Sequence, residues 1–169
     1  MLYIFSGLPG SGKTTLSSAL ARVRKAAHFR VDVVEQAMRD SGMNLEGPEG
    51  YRVCYAIASH NLGLGLDVIA DTVNPIEITR QAWRHAAESQ AAPYVEIEVV
   101  CSDEHEHRQR IETRAADLPG FVLPTWEEVR NRRYEGWDRD RLIVDTARQT
   151  VEQSFAALCD QLEQWQSRR

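Results

Sequence analysis

The sequence contains little cysteine. Its three cysteines, Cys54, Cys101 and Cys159, form no C-x-x-C pair and fall in apolar stretches of a 169-residue chain. A disulfide framework or a cysteine-ligated metal site needs paired or closely spaced thiols, so neither is expected here. We expect three buried, reduced thiols.

Long apolar runs and an excess of positive charge are also missing. No stretch approaches the roughly 20 consecutive apolar residues of a membrane span, and no secretory leader is recognisable. We therefore expect a cytoplasmic protein with no membrane partner. With 20 Lys and Arg against 25 Asp and Glu, the formal net charge is −5. This charge disfavours a broad nucleic-acid surface but leaves small acidic ligands open.

The chain length fits one domain. A chain of 169 residues can bury one sizeable core but has no room for a second catalytic domain. No internal repeat is present. We expect a single α/β domain over residues 1–169.

The most informative stretch lies at the start of the chain. Leu2–Phe5 is a short apolar run that predicts a buried strand, and Leu16, Leu20 and Val23 begin a helical apolar stripe. The loop between them fits G-x-x-x-x-G-K-S/T at every position. Its predicted ligand-binding residues are Gly7, Pro9, Gly10, Ser11, Gly12, Lys13, Thr14 and Thr15.

These residue types suit a nucleoside triphosphate. Glycines let successive backbone N–H groups turn towards phosphate oxygens at a helix N-terminus. Lys13 adds a charge for the β- and γ-phosphates, and the Thr14 hydroxyl is a ligand that Mg²⁺ accepts. The alternative, a glycine turn that binds nothing, does not explain a complete motif in a strand-loop-helix context. We expect ATP and Mg²⁺, and favour ATP over GTP because no N-K-x-D motif is present.

Two further predicted strands end in acids. His28–Val31 leads to Asp32, and Leu66–Ala70 leads to Asp71, with Asn74 close behind. Ligands of open parallel sheets bind beyond the carboxyl ends of the strands, so both acids should share a crevice with the phosphate loop. Asp32 is either a catalytic base or an ordinary helix N-cap. Asp71 either holds Mg²⁺ through water or orients the substrate.

The remaining elements complete an α/β pattern. Pro75 is placed to open a helix, and Arg80, near its start, faces either the crevice or the solvent. Pro93–Cys101 and Arg141–Asp145 are predicted strands, and Val151–Trp165 is a closing amphipathic helix. Five strands are therefore predicted.

A charged helix and a broken loop precede the last strand. Arg110 and Arg114 share one helical face, where surface ion pairing at i,i+4 is the simplest interpretation. Residues 117–124 contain proline and glycine, and a second helix is predicted to follow and to run to about Gly136. This hairpin, residues 108–136, is where a mobile lid would lie.

Together these motifs resemble a small, AAA-type P-loop kinase-like family that includes the 5′-kinase domain of polynucleotide kinase and related small-molecule kinases. The resemblance covers roughly residues 1–137 and implies a P-loop NTPase three-layer sandwich. It also implies a five-stranded parallel sheet with helices on both faces and a helical lid. The family's D-T-x-x-N-P-x-x-R segment is matched by Asp71, Thr72, Asn74, Pro75 and, one residue later, Arg80. Its R-x-x-x-R pair and V-x-x-x-x-Y tail are matched by Arg110, Arg114, Pro124, Val129 and Tyr134.

The resemblance also implies roles for these residues. The strand-two aspartate of the family is the general base on the acceptor hydroxyl, and the lid arginines fold over the phosphates. The implied catalytic residues are Lys13, Asp32, Arg110 and Arg114. The implied metal residues are Thr14 and Asp71, and the implied substrate-binding residues are Asp32, Asp71, Asn74 and Arg80.

One position departs from polynucleotide kinases, which tend to carry an arginine three residues after the base. Glu35 stands there in this chain, and a carboxylate does not bind a nucleic-acid phosphate. We therefore expect an ATP-dependent kinase that phosphorylates a hydroxyl of a small molecule. A polynucleotide 5′-hydroxyl kinase and a non-catalytic ATP-binding regulatory module are the alternatives.

Overall fold

Strands and helices alternate along the chain in the computed structural model, which describes residues 1–168. The strands are β1 (Leu2–Ser6), β2 (Ala27–Arg30), β3 (Val68–Asp71), β4 (Tyr94–Val100) and β5 (Leu142–Asp145). The helices are α1 (Lys13–Arg24), α2 (Val31–Asp40), α3 (Glu49–Gly63), α4 (Glu77–Glu88), α5 (Glu104–Thr113), α6 (Trp126–Arg130) and α7 (Val151–Ser167). The five predicted strands are thus confirmed.

Strand β1 lies at the centre of a sheet ordered β2-β3-β1-β4-β5, in which every neighbouring pair is parallel. All five residues of β1 are buried, as expected for a parallel strand covered on both faces. The register places Phe5 beside Asp71 and Arg30 beside Asp71 from the other side. The end of β3 and the start of α2 therefore emerge at the same edge as the phosphate loop.

Helices cover both faces of the sheet. On one face, the core contains Leu16 and Leu20 of α1 with Leu158 and Leu162 of α7. The core on the other face is built from α3 and α4, with Trp83 fully buried. This arrangement confirms the three-layer P-loop sandwich and leaves the carboxyl edge of the sheet open between the layers.

The three cysteines are free thiols, with Cys54 and Cys101 buried and Cys159 half-buried. This agrees with the expectation of reduced thiols, and of burial for Cys54 and Cys101, whereas Cys159 is less buried than expected. Within residues 1–168, no helix is long and apolar enough to cross a membrane.

The predicted return helix of the lid is wrong in its length. Helix α6 starts from a capping box formed by Thr125 and Glu128, but it ends at Arg130 rather than near Gly136. The capping residues fix where the helix begins, whereas its end depends on packing that is distant in sequence. Only one short helix therefore returns across the lid.

That distant packing comes from Arg80. Its guanidinium lies 3.9 Å from the ring centroid of Trp137 and 5.2 Å from that of Tyr134. The backbone N–H of Glu135 also donates to the Pro75 carbonyl at 2.8 Å. These contacts hold residues 134–137 against the start of α4, in a direction that a continued α6 would not follow.

Candidate active site

The phosphate loop, residues 7–15, has the backbone that its glycines predict. Gly7 has φ 145°, and a Cβ there would overlap the carbonyl oxygen of Val99. Gly12, with φ 94°, is the N-cap of α1 and supplies no side-chain cap. The first N–H groups of α1 are therefore left for a ligand, as at other anion-binding helix N-termini.

Lys13 lies in this loop with only 8% of its surface exposed. Burial lowers its pKa, and the nearby carboxylates of Asp71 and Asp32 oppose that effect. The ammonium makes no recorded hydrogen bond or ion pair with residues 1–168, although buried charges are normally paired. A phosphate group is the partner that this position fits.

Asp71 sits at the end of β3, is 1% exposed and, contrary to the expectation from the sequence, does not line the cleft described below. Neither of its carboxylate oxygens has a hydrogen-bond partner among the described residues. The His28 ring lies nearby, with Nε2 3.9 Å from Oδ2, but burial lowers the pKa of His28 and so disfavours its charged form. Two buried oxygens without donors suit a hydrated cation or a ligand hydroxyl.

The same region fits Mg²⁺ of the kind that nucleotides carry. No cluster of three or more His, Cys, Asp or Glu capable of holding a metal occurs in residues 1–168, so a dedicated protein cage is absent from this part of the chain. Mg²⁺ in phosphotransferases is held instead by one or two protein oxygens together with phosphates and water. The Thr14 hydroxyl and, through water, Asp71 are the oxygens that fit this requirement.

Asp32 lies in the first turn of α2, with its side chain 33% exposed. The alternative that it caps this helix is wrong, because the N-cap is Arg30 and no side chain caps the first turn. The Asp32 carboxylate instead accepts from Nε and Nη2 of Arg30, both at 3.4 Å. Asp32 is therefore oriented by a neighbouring guanidinium and remains accessible.

Arg30 was not identified from the sequence. It is the last residue of β2, and its guanidinium also pairs with Asp117 of the lid, with Nη2 donating to Oδ1 at 3.2 Å. This pairing lowers the pKa of Asp117. Arg30 thus links Asp32 to the lid across 87 residues of sequence, and its only sequence signal is its position at a strand end beside Asp32.

The two lid arginines have different contacts in the structure. Arg110 donates to the Thr146 side chain at 2.7 Å, to the Thr146 carbonyl at 2.9 Å and to Glu106 at 2.6 Å. Arg114, in contrast, has two buried nitrogens, Nε and Nη2, without a partner in the described chain. Burial lowers the pKa of Arg114, and Asp32 opposes this. Arg114 therefore offers unused donors, whereas Arg110 braces the loop after β5.

Thr146 and His107 support the phosphate loop and were also missed. The Thr146 hydroxyl donates to the carbonyl of Ser11 at 2.8 Å, and the His107 ring nitrogen Nε2 lies 2.7 Å from the carbonyl oxygen of Pro9. Both come from other parts of the chain, after β5 and within α5. No local motif marks them.

Arg80 is placed differently from the expectation that it binds substrate. It is fully buried and donates to the carbonyls of Asn74, Glu135 and Gly136 at 3.1, 2.8 and 3.2 Å. The guanidinium donors of Arg80 are therefore used by carbonyl groups of the protein itself, and Arg80 does not line the cleft described below. Arg80 therefore holds the end of the lid rather than a substrate, because its position on helix α4 faces the interior of the protein.

Asn74 has the same supporting character. It is fully buried with a positive φ of 51°, and its amide donates to the Ser6 hydroxyl at 3.0 Å. Its backbone N–H donates to the hydroxyls of Tyr51 and Thr72, both at 3.3 Å. Asn74 thereby fixes the turn after Asp71 to the start of the phosphate loop, and it too does not line the cleft.

A single cleft of about 870 Å³ runs over the phosphate loop along the carboxyl edge of the sheet. Its β5 end is lined by Gln149, Thr150 and Val151, and its β2 end by Arg30, Asp32 and Glu35. Lys13, Thr14, Arg110 and Arg114 line it as well. The cleft thus unites the four predicted catalytic residues and extends past them on both sides.

Comparison with known proteins gives one family and a consistent fold. A family described as an AAA domain matches residues 2–135. A relative from Aeropyrum pernix, named "Probable adenylyl-sulfate kinase", is 26% identical over 171 residues, covering 90% of this chain and 87% of that protein.

Two solved structures extend the comparison. APS kinase of Mycobacterium tuberculosis in complex with AMPPNP and APS superposes with a TM-score of 0.70 at 15% identity, over 96% of both chains. Kti12 of Chaetomium thermophilum in complex with ADP-AlF3 gives 0.67 at 21% identity, over 95% of this chain and 98% of that one. At these identities the likeness shows a shared fold.

Proposed function

Because the chain belongs to this AAA domain family, and its phosphate loop opens into a cleft that also holds Asp32 and Arg114, we propose that it is an ATP-dependent phosphotransferase. The γ-phosphate is transferred to a hydroxyl of a small-molecule acceptor. The named relatives that are kinases support a kinase of the P-loop type.

The observation that carries the proposal is the pair of unpartnered, buried nitrogens of Arg114 beside the phosphate loop. Phosphoryl transfer asks a protein for positioning and for cations that meet charge on the transferring group. A protein that only bound a nucleotide would not need a second cation in the same cleft as Lys13 with two buried nitrogens that lack a partner among the described residues. Keeping such donors without partners is costly unless a ligand uses them.

Few groups take part in the proposed transfer step. The acceptor oxygen forms a bond to the γ-phosphorus while the bond from that phosphorus to the β,γ-bridging oxygen breaks, and ADP leaves. Asp32 takes the proton of the acceptor hydroxyl late in the transfer. Lys13 and the loop amides hold the β- and γ-phosphates, and Arg114 donates to the transferring oxygens.

Thr14 would serve as a ligand of Mg²⁺ beside these groups, and Asp71 would hold a water of that ion. Bound with ATP, Mg²⁺ would neutralise charge on the β- and γ-phosphates. We also propose that the protein is cytoplasmic and that it forms a single domain.

The acceptor is proposed to be a small molecule rather than a nucleic-acid end. Glu35 lines the β2 end of the cleft, where a polynucleotide phosphate would need a cation. The net charge of −5 adds a general repulsion towards polyanions. The Mycobacterium tuberculosis APS kinase, which shares this fold, is in complex with the small molecule APS, and this supports a small acceptor.

A screen for acceptor-stimulated ADP release tests the proposal. Hydroxylated metabolites, antibiotics, nucleosides and a 5′-hydroxyl oligonucleotide are added to the protein with ATP and Mg²⁺, with Lys13→Ala as the negative control. Turnover that depends on a small acceptor and on Lys13 supports the proposal. Salt-sensitive turnover with the oligonucleotide alone would support the polynucleotide kinase instead. ATP binding without turnover on any acceptor would support a regulatory module.

A further inference from the structure

The β2 end of the cleft carries two carboxylates on one face of helix α2. Asp32 and Glu35 are three residues apart, both line the cleft, and each lies within the electrostatic reach of the other. Positions i and i+3 of a helix place their Cβ atoms about 5–6 Å apart. A molecule bound at Asp32 therefore meets the Glu35 carboxylate one helical turn away.

Glu35 is held towards the cleft by packing against α3. Gly50 is buried in the first turn of that helix, and a Cβ there would overlap Cγ of Glu35. The Glu35 side chain is 21% exposed, and burial raises its pKa, an effect that Arg39 opposes. The carboxylate thus loses part of its hydration without gaining a strong internal partner.

The cations around this end do not satisfy Glu35. Arg30 is shared between Asp32 and Asp117. Arg39 reaches Glu35 at 3.3 Å with 45% of its side chain exposed, which is the weak, solvent-screened class of helix ion pair. Arg114 is directed to the transferring phosphate in the proposed function. A positive charge is therefore what the acceptor end lacks once ATP is bound.

Building on the proposed phosphotransferase, we propose that the acceptor is a small amino alcohol, with its protonated amine bound by Glu35 and its reacting hydroxyl held against Asp32. The i,i+3 spacing of the two acids, with Cβ atoms about 5–6 Å apart, fits an amine two or three carbon atoms from the hydroxyl, as in amino sugars and aminocyclitols. Val73, Phe121 and Leu123 line the same cleft and supply apolar surface for the carbon skeleton.

Acceptors matched in skeleton and different in charge test the class. Glucosamine, glucose and glucuronate share a pyranose ring and carry an ammonium group, no charge and a carboxylate, and an aminocyclitol with the corresponding neutral cyclitol forms a second set. The measured quantity is kcat/KM for ADP release in the wild type, in Glu35→Gln and in Asp40→Asn. Asp40 is an exposed acid of the same helix outside the cleft, so its variant has the same change in net charge.

The wild type should prefer the amine over its neutral partner by about 10- to 100-fold, which is the strength of a hydrogen bond to a charged group. Glu35→Gln should abolish that preference, measured as the ratio of the kcat/KM values for the amine and its neutral partner in the same variant, and Asp40→Asn should keep it. The wild-type ranking does not depend on how the variant folds.

Two outcomes would overturn the inference. Faster turnover of the neutral or anionic member by the wild type, or an unchanged preference in folded Glu35→Gln, would show that the amino alcohol assignment is wrong while leaving the kinase in place. A lack of turnover with every member, in protein that binds ATP, would count against the proposed phosphotransferase itself.

Discussion

Replacing Arg114 with alanine removes the two buried donors that have no partner within the described chain. In the proposed transition state both donate to oxygens of the transferring phosphoryl group. Hydrogen bonds involving charged groups contribute about 1.5–3 kcal/mol each, so the two together supply about 3–6 kcal/mol. At about 1.4 kcal/mol per factor of ten, kcat should fall by about 10² to 10⁴.

The assay is steady-state ADP release over a range of ATP concentrations at saturating acceptor. The KM for ATP should change far less than kcat, because donors brought in on lid closure act mainly in the transition state. Arg108→Ala is the matched control, since Arg108 lies in α5, the helix that Arg114 caps at its C-terminus, is 59% exposed and pairs with Glu112. Normal kinetics of Arg114→Ala would refute this role of Arg114. Surface ion pairing, the simplest interpretation of the sequence, would then be the better account of Arg114.

Two other substitutions separate binding from stability. Lys13→Ala should abolish ATP binding measured by calorimetry, and retained ATP affinity would contradict this role. The melting temperature should stay the same or rise, because the substitution removes a buried ammonium that has no partner among the described residues. Arg80→Met should lower the free energy of unfolding by about 3 kcal/mol or more, because three carbonyl groups lose their donor. Urea denaturation measures this loss of stability. Arg133→Met, at a position 80% exposed, is the control. An unchanged urea midpoint for Arg80→Met would show that other contacts hold the end of the lid.

The parts of the fold that the sequence predicted correctly are those specified by local patterns. Leu2–Phe5 and the glycine-rich loop follow local patterns, and acids at the ends of short apolar runs lie at one edge of the sheet because parallel strands share a carboxyl edge. That rule placed Asp32 in the cleft and Asp71 at the end of β3, where the buried Asp71 does not line the cleft. The rule needs only strand direction, which α/β alternation supplies.

The parts that were missed depend on contacts distant in sequence. Thr146, just after β5, and His107, within α5, support the phosphate loop, and Arg30 reaches Asp117 in the lid. Arg80 matches a family motif, yet its guanidinium lies against Trp137 and backbone carbonyls rather than in the cleft. A motif gives the residue type and position, but the direction of a long side chain is decided by tertiary packing.

The most direct measurement of the central claim is acceptor phosphorylation by Asp32→Asn, with ATP affinity and melting temperature determined on the same preparation. Asparagine keeps the shape of the side chain and one oxygen for Arg30, and Asp32 is not the helix cap. ATP binding and melting temperature should therefore be unchanged. Transfer should fall by about 10² to 10⁴, the contribution of a general base. Transfer at the wild-type rate would contradict the account and show that Asp32 is not the base of a phosphotransferase.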